Sequence, residues 1–572
     1  MATMEKFDAI VVGSGFGGSV MAFELANAGL KVCLLERGKS YPPGSFPRSP
    51  RGMAQNFWDP SKGHYGLFNA WSFQSSEVLI SSGLGGGSLI YANVLLRKPV
   101  DWFRETRPDG TFKPWPVTRS DLDPHYDEVE KVLNGQKYPL DFPPYNQTHK
   151  TLAFRDSATS LGYDWSLPKL AVSFRSQPGK DPVPGEPIVE PFPNLHDRTR
   201  WTCRLCGECD VGCNYGSKNT LDYNYLTLAQ RKGAQIRPLC EVRQIRPRSG
   251  GGYEVDYVNH DPQNWEGRER DTHNQPLTTI AADRLILSAG TLGSTFLLLK
   301  NRKAFPKISD QLGTRYSTNG DLLTFVFTCK NKKDGQPLRI DPSTGPVITS
   351  TVEVPLGENG GYFIQDAGYP EFLGWLLETS DAPGWIMRVL KFVWRRFTQI
   401  MGGDPQTEID GQLSQLIGNG TLSSTTMTLL GMGRDVASGT MSLRQAKQSK
   451  VEYLENNWSD TDSGKYFDAV TESSRKIADA MGGDFVENPD TKYLRRLISV
   501  HPLGGCPMGV DEKDGVVDSY GQVFNYPGLY VADGSVMPGA VGSNPSLTIA
   551  ALSRRFALNL IEQHKKRGTV TQ

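Results

Sequence analysis

The sequence predicts a mixed α/β (α+β) fold. Strands buried on both faces are expected near both ends of the chain, with strands of a second sheet between them. Three observations point there. An apolar run, Phe7 to Val12, opens into the turn Gly13-Ser14-Gly15-Phe16-Gly17-Gly18. A second run ends in small residues, Leu285-Ile286-Leu287-Ser288-Ala289-Gly290, and a third, Leu529-Tyr530-Val531, runs into Ala532-Asp533-Gly534. Short unbroken apolar runs are what strands buried on both faces look like.

Bulk properties set the limits. A chain of 572 residues holds more than one core. Sixty glycines and 38 prolines without a period indicate a folded, loop-rich protein. Basic and acidic side chains number 62 each, so no global positive field exists to attract nucleic acid. Met-Ala-Thr-Met-Glu-Lys leads straight into the first strand, so no secretory leader is expected. No apolar run is long enough to span a bilayer, and a cytoplasmic location is expected.

Each element follows in order. Phe7 to Val12 is a strand, Ser19 to Ala28 a helix, and Lys31 to Leu35 a second strand that ends at Glu36 and Arg37. In the turn between them the first glycine permits a tight bend and the second lets backbone approach a pyrophosphate. The third permits close helix packing, while the helix N-terminus faces the negative charge. Glu36 stands where a carboxylate accepts hydrogen bonds from ribose hydroxyls, which argues against a 2′-phosphate. Ser82-Gly83-Leu84-Gly85-Gly86-Gly87-Ser88 is a second glycine turn, and Val78, Leu79, Ile80, Leu89 and Ile90 around it indicate burial. NAD and FAD share the first fingerprint, so the far end of the chain must decide between them.

That end carries His501-Pro502-Leu503-Gly504-Gly505, then Asp533-Gly534, then Gly542-Ser543-Asn544-Pro545-Ser546. With the fingerprint at the start, these motifs resemble the glucose–methanol–choline (GMC) oxidoreductases, nearest to their cholesterol-oxidase-like branch. The resemblance is strongest over residues 7–37, 78–95, 200–225, 283–296 and 498–555. It implies a discontinuous Rossmann-like FAD-binding domain from residues 1–42, 78–140, 195–310 and 498–572, and a substrate-binding domain with a mostly antiparallel sheet from 43–77, 141–194 and 311–497. The implied FAD contacts are Gly13, Ser14, Gly15, Phe16, Gly17, Gly18, Glu36 and Arg37 at the first turn, and Gly86, Gly87 and Ser88 at the second. Val242 is placed at the adenine, with Ala289, Gly290, Asp533 and Gly534 nearby, and Asn544, Pro545 and Ser546 close to the flavin. The implied reaction is dehydrogenation of a hydrophobic alcohol by hydride transfer to flavin N5, with His501 and Asn544 on the substrate oxygen. A histidine suits the proton-accepting task because its ordinary pKa is about 6.5.

One stretch departs from the resembling sterol oxidases, which carry a proton-shuttling glutamate on a substrate-domain strand. The matching segment, Phe363-Ile364-Gln365-Asp366-Ala367-Gly368, puts Gln365 at that place in the substrate pocket. An amide shuttles no proton at neutral pH. Asp366 is the second pocket candidate, but neighbouring strand side chains face opposite ways unless a bulge intervenes. Oxidation without steroid isomerisation is therefore expected.

Cys203, Cys206, Cys209 and Cys213 have the C-x2-C-x2-C-x3-C spacing of ferredoxins, although Asn214 replaces the usual following proline. An iron–sulfur cluster, a zinc knot and a set of reduced thiols all remain open, zinc less so because its cysteines usually pair across a longer gap. The resemblance extends to FAD-dependent glucose dehydrogenases, which carry an iron–sulfur cluster at a similar place. With a cluster, electrons would pass to a protein or quinone acceptor; O2 is the other acceptor the resemblance implies.

The middle of the chain is less readable. Leu322 to Phe327 and Tyr362 to Gln365 look like strands of the second sheet, and Pro178 to Pro193 like a loop. In Trp385 to Met401 three basic residues share one helical face and apolar residues fill the rest, the pattern of a helix resting on the inner membrane face, or of a core helix with a basic side. Asp404 to Ser438 shows no period and reads as a lid. Two other functions share the frame: a fatty-acid flavin photodecarboxylase, which needs no His–Asn pair, and a flavin or iron–sulfur electron-transfer protein.

Overall fold

Strand β1 (Glu5–Val12) is apolar at consecutive positions from Ala9 onward and is buried there. A strand apolar on both sides has to be covered on both faces, which places it inside a sheet. The computed structural model, which describes residues 4–107, 109–260, 275–355, 361–371, 421–446, 451–488, 491 and 496–570, places it there. The chain leaves β1 through the glycine turn into α1 (Phe16–Asn27) and returns as β2 (Val32–Leu35). β1 pairs in parallel with β2 on one side and with β3 (Leu277–Leu287) on the other. β3 leads into α2 (Gly290–Lys300). Its first half pairs antiparallel with Tyr253–Asn259, whereas Leu285, Ile286 and Leu287 pair in parallel with Leu529–Val531. Cys240–Pro247 and Gln235–Arg237 complete the seven-stranded sheet at its two edges.

The turn after β1 admits only glycine at its first position. Gly13 has φ +100°, and a Cβ there would stand 2.2 Å from the Ser288 carbonyl oxygen.

A second sheet of six strands is antiparallel throughout. It contains β4 (Leu322–Phe327), β5 (Tyr362–Ala367) and β6 (Met427–Gly433), in the order Asp164–Ser166, Ile348–Val354, β5, β6, β4, Asp484–Glu487. Its core includes Val326, Ile364, Leu429, Val470 and Ile477; that of the first sheet includes Val11, Leu34, Ile286, Val531 and Phe556. The chain crosses between the two cores after Val78, which packs in the second, whereas Leu84 and Leu95 pack in the first. The C-terminal helix α3 (Ser546–Val570) covers the first sheet beside α1.

The lid expected over Asp404 to Ser438 is corrected for its latter part, because β6 is an interior strand buried on both faces. Residues 404–420 and the helix expected at Trp385 to Met401 lie outside the described residues. No helix among the described residues is long and apolar enough to cross a membrane.

Candidate active site

The carboxyl ends of β1, β2 and β3 open into a cavity of about 1410 Å3 whose opposite wall comes from β4, β6 and Ile348. Ligands of open parallel sheets bind beyond the carboxyl ends of the strands. This cavity collects residues from both ends of the sequence.

At its nucleotide end the two glycine turns are bolted together. Ser14 donates its N–H (3.0 Å) and its hydroxyl (2.6 Å) to Glu36, and the Ser14 hydroxyl oxygen accepts from the Gly85 N–H at 2.9 Å. The Glu36 carboxylate also accepts from the Gly38 N–H, and burial pushes its carboxyl up. Arg37 donates to Asn69 at 3.0 Å and lies over the Trp58 ring. Asp533 ties the end of Leu529–Val531 to the start of α2: it accepts from Ser535, from the Ser294 hydroxyl at 2.5 Å and from the Gly290 N–H at 3.0 Å. Gly13, Ser14, Gly15, Phe16, Gly17, Glu36, Arg37, Gly86, Gly87, Val242, Ala289, Gly290, Asp533, Gly534, Asn544, Pro545 and Ser546 all line the cavity.

Two expected cofactor contacts do not. A Cβ on Gly18 would stand 2.0 Å from the Gly13 oxygen, so that glycine serves helix packing behind the wall. Ser88 is turned inward, donating to the Gly85 carbonyl and accepting from the Leu221 N–H.

The residues present fit FAD. α1 starts at Gly15 without a side-chain cap, leaving its first N–H groups for an anion. Among the described residues, and apart from the adjoining ones in the chain, no atom lies within 4 Å of where a Cβ would begin at Gly15 or Gly87. The Ser546 hydroxyl, on the cavity wall, is buried and has no protein partner among the described residues. An orphaned buried donor of this kind calls for a bound partner.

His501 and Asn544 line the same cavity at its other end. His501 follows the strand Leu497–Ser499, and its Nδ1 lies 2.7 Å from Asp321 Oδ1. Asn544 precedes α3; its Oδ1 accepts from Gln365 Nε2 at 2.9 Å. Sequence reasoning missed the loop that serves both. Asp321 is fully buried and also accepts from the N–H groups of Val500 and His501. Two residues earlier, Asn319 Nδ2 donates to the Ser543 carbonyl at 3.0 Å and Oδ1 accepts from the Gly542 N–H at 2.7 Å. The only signal was a Ser-Thr-Asn-Gly-Asp turn ahead of a strand.

Of the two pocket assignments on β5, Asp366 is corrected, whereas Gln365 stays at the site through its hydrogen bond with Asn544. Gln365 is buried behind Asn544 and does not line the cavity; Ala367, Gly368 and Tyr369 do. Asp366 faces the other side of the sheet, where it pairs with Lys150 at 2.8 Å and accepts from the N–H groups of Thr349 and Ser350. β5 pairs with β6 in unbroken register, so no bulge reverses the alternation at this point; the bulge lies on the neighbouring strand, between Ile348 and Thr351.

Cys203, Cys206, Cys209 and Cys213 line a second cavity of about 20 Å3 with Lys218, and all four thiols are free. Burial, and then one another's charge, push the Cys206 thiol up to about 12. No group of three or more His, Cys, Asp or Glu side chains among the described residues is placed to hold a metal ion. Of the three readings left open for these cysteines, neither the iron–sulfur cluster nor the zinc knot gains support among the described residues.

A family model described as GMC oxidoreductase matches residues 435–553, and one described as NAD(P)-binding Rossmann-like domain matches residues 11–45. A cholesterol oxidase of Mycobacterium tuberculosis is 30% identical, over 96% of this chain and 90% of that protein. The chain belongs to the GMC oxidoreductase family. A cholesterol oxidase of Acinetobacter baumannii is 27% identical over 98% of this chain and 95% of its own length, which sets this GMC oxidoreductase in the cholesterol-oxidase-like branch. Pyridoxine 4-oxidase from Mesorbium loti shares the fold, with a TM-score of 0.56 and 16% identity over 96% of this chain and 98% of that one. This GMC oxidoreductase is an FAD-dependent alcohol oxidoreductase.

Proposed function

We propose that this GMC oxidoreductase dehydrogenates a bulky apolar alcohol, sterol-like or long-chain, and passes the electrons to dioxygen. The observation that carries the reading is a single cavity with His501 and Asn544 at one place and an apolar wall of Leu79, Ile80, Leu323, Phe325, Ile348 and Leu430. His501 accepts the hydroxyl proton, and an Asn544 N–H stabilises the oxygen as charge develops on it. Bound FAD would supply the acceptor for the hydride of the C–H bond. Two electrons and two protons leave the alcohol, and dioxygen takes them up as hydrogen peroxide. The names of the two cholesterol oxidases support both the lipophilic substrate and the acceptor. The residue ranges assigned to FAD-binding and substrate-binding domains belong to the same proposal.

Gln365 holds no proton to shuttle, and Asp366 is committed to Lys150. A sterol therefore leaves as the unconjugated ketone; a conjugated 4-en-3-one as direct product overturns that part. No electrons are routed through the cysteine loop. Iron and acid-labile sulfide in anaerobically purified protein would reinstate that exit.

The test is anaerobic mixing of holoenzyme with alcohols of increasing chain length and with a sterol. Lipophilic alcohols should bleach the flavin band, and His501→Ala should slow bleaching by about 10²–10³-fold. Bleaching by no lipophilic alcohol points instead to an electron carrier, and light-driven CO2 release from a fatty acid to a photodecarboxylase.

A further inference from the structure

The Asp321 carboxylate divides its two oxygens between different tasks. Oδ2 accepts from the Val500 N–H at 2.8 Å, the His501 N–H at 3.0 Å and the Ser499 hydroxyl at 3.2 Å, which fixes the backbone from 499 to 501. Oδ1 is left for the imidazole, 2.7 Å from Nδ1. A carboxylate oxygen only accepts, so the nitrogen facing it has to carry hydrogen. A neutral imidazole protonated at Nδ1 is bare at Nε2.

We propose that Asp321 is a positioning residue: it holds His501 as the Nδ1–H tautomer, so that Nε2 is the atom that receives the alcohol proton. The inference rests on the alcohol-oxidising reading above. Once His501 has taken up that proton, the same carboxylate lies beside the new positive charge and stabilises it. The rest of the loop is built to keep Asp321 in place. Asp435, itself buried, accepts from the Ser317 hydroxyl at 2.5 Å and from the Thr318 N–H at 2.9 Å. The Tyr466 hydroxyl donates to the Gly320 carbonyl at 2.7 Å. Asn319 meanwhile grips the backbone just before Asn544, so one turn sets both the proton acceptor and the amide donor.

Asp321→Asn discriminates this role from a merely structural one. The three donors that converge on Oδ2 hold the amide oxygen there, which turns the new –NH2 toward Nδ1. The ring must then accept at Nδ1 and carry its proton on Nε2, where it blocks uptake from the alcohol.

The chain has eight histidines, so nitrogen-15 histidine labelling of the holoenzyme gives a readable spectrum, with His501 assigned by its loss in His501→Gln. Wild type should carry the His501 proton on Nδ1 and Asp321→Asn on Nε2. Flavin reduction by an alcohol should slow by about 100-fold or more in Asp321→Asn. In a His501→Gln background the same substitution should change the rate by no more than about twofold, because there is no ring left to orient. A wild-type proton on Nε2, or an Asp321→Asn variant that reduces its flavin at the wild-type rate, overturns the proposal. If Asp321→Asn does not retain FAD, the wild-type spectrum decides alone. Failure of every alcohol to bleach wild type sinks the functional reading but leaves the tautomer legible, so the two failures are distinguishable.

Discussion

At the scale of single residues, buried carboxylates do most of the organising. Glu36 fixes the first glycine turn, Asp533 joins the strand Leu529–Val531 to α2, Asp321 holds the histidine, and Asp435 holds the loop that carries Asp321. Each is satisfied by N–H and O–H groups because an unpaired buried charge is too costly to keep. Asp435 has a consequence for stability. Burial pushes its carboxyl from 3.8 up to about 7. The folded state then binds that proton more tightly than the unfolded state, so the contribution is complete in acid and is lost as pH rises from about 4 to about 7, at roughly 1.4 kcal/mol per pH unit. Asp435→Asn removes the dependence. The stability advantage of wild type over this variant should shrink between about pH 5 and pH 7.5 in denaturant unfolding. An advantage independent of pH would mean that the carboxyl is already ionised across the range.

At the scale of elements, β6 shows what packing demands and sequence conceals. It runs between β5 and β4 with a helix, Gly464–Ala480, against one face. A Cβ at Gly431 would stand 2.4 Å from Val470 Cγ1 on that helix. Gly431→Ala should destabilise the protein by roughly 1–3 kcal/mol through overpacking, and Val470→Ala in the same chain should restore part of the loss. A lowered melting midpoint that Val470→Ala leaves unrelieved would show that the cost lies in the strand backbone. Met-Thr-Leu-Leu-Gly-Met-Gly lacks the period of two and has Thr428 as its one β-branched residue, which is why the strand reads as a lid. β1, α1 and β2 were legible because their signals are local: an apolar run, a glycine turn and an acid at fixed spacing. The alternation that separates Gln365 from Asp366 was legible as well, but which face looks toward Asn544 depends on partners far along the chain. Asp321 was hidden for the same reason, since 180 residues separate it from His501.

At the scale of the whole molecule, the cavity is where the two sheets meet, so its occupant should fasten one to the other. A ligand bound only by the folded state raises stability by mass action, about 2.7 kcal/mol when present at 100 times its Kd. Stripping FAD should lower the melting midpoint, and added FAD should restore it in a concentration-dependent way, with flavin fluorescence released at the transition. A midpoint insensitive to FAD would exclude this cavity as the flavin site. The order of strands bears on biosynthesis. β3 is flanked by β1 from the start of the sequence and by Leu529–Val531 from near its end. A ribosome therefore exposes β1, a strand meant to be covered on both sides, long before the residues that seal its sheet have left the exit tunnel. Sheets assembled from such distant segments form slowly and stay sticky in the interval. Overproduction in cells should accordingly depend on holdase chaperones and on slow translation, with yellow colour appearing only once synthesis has passed the final strand.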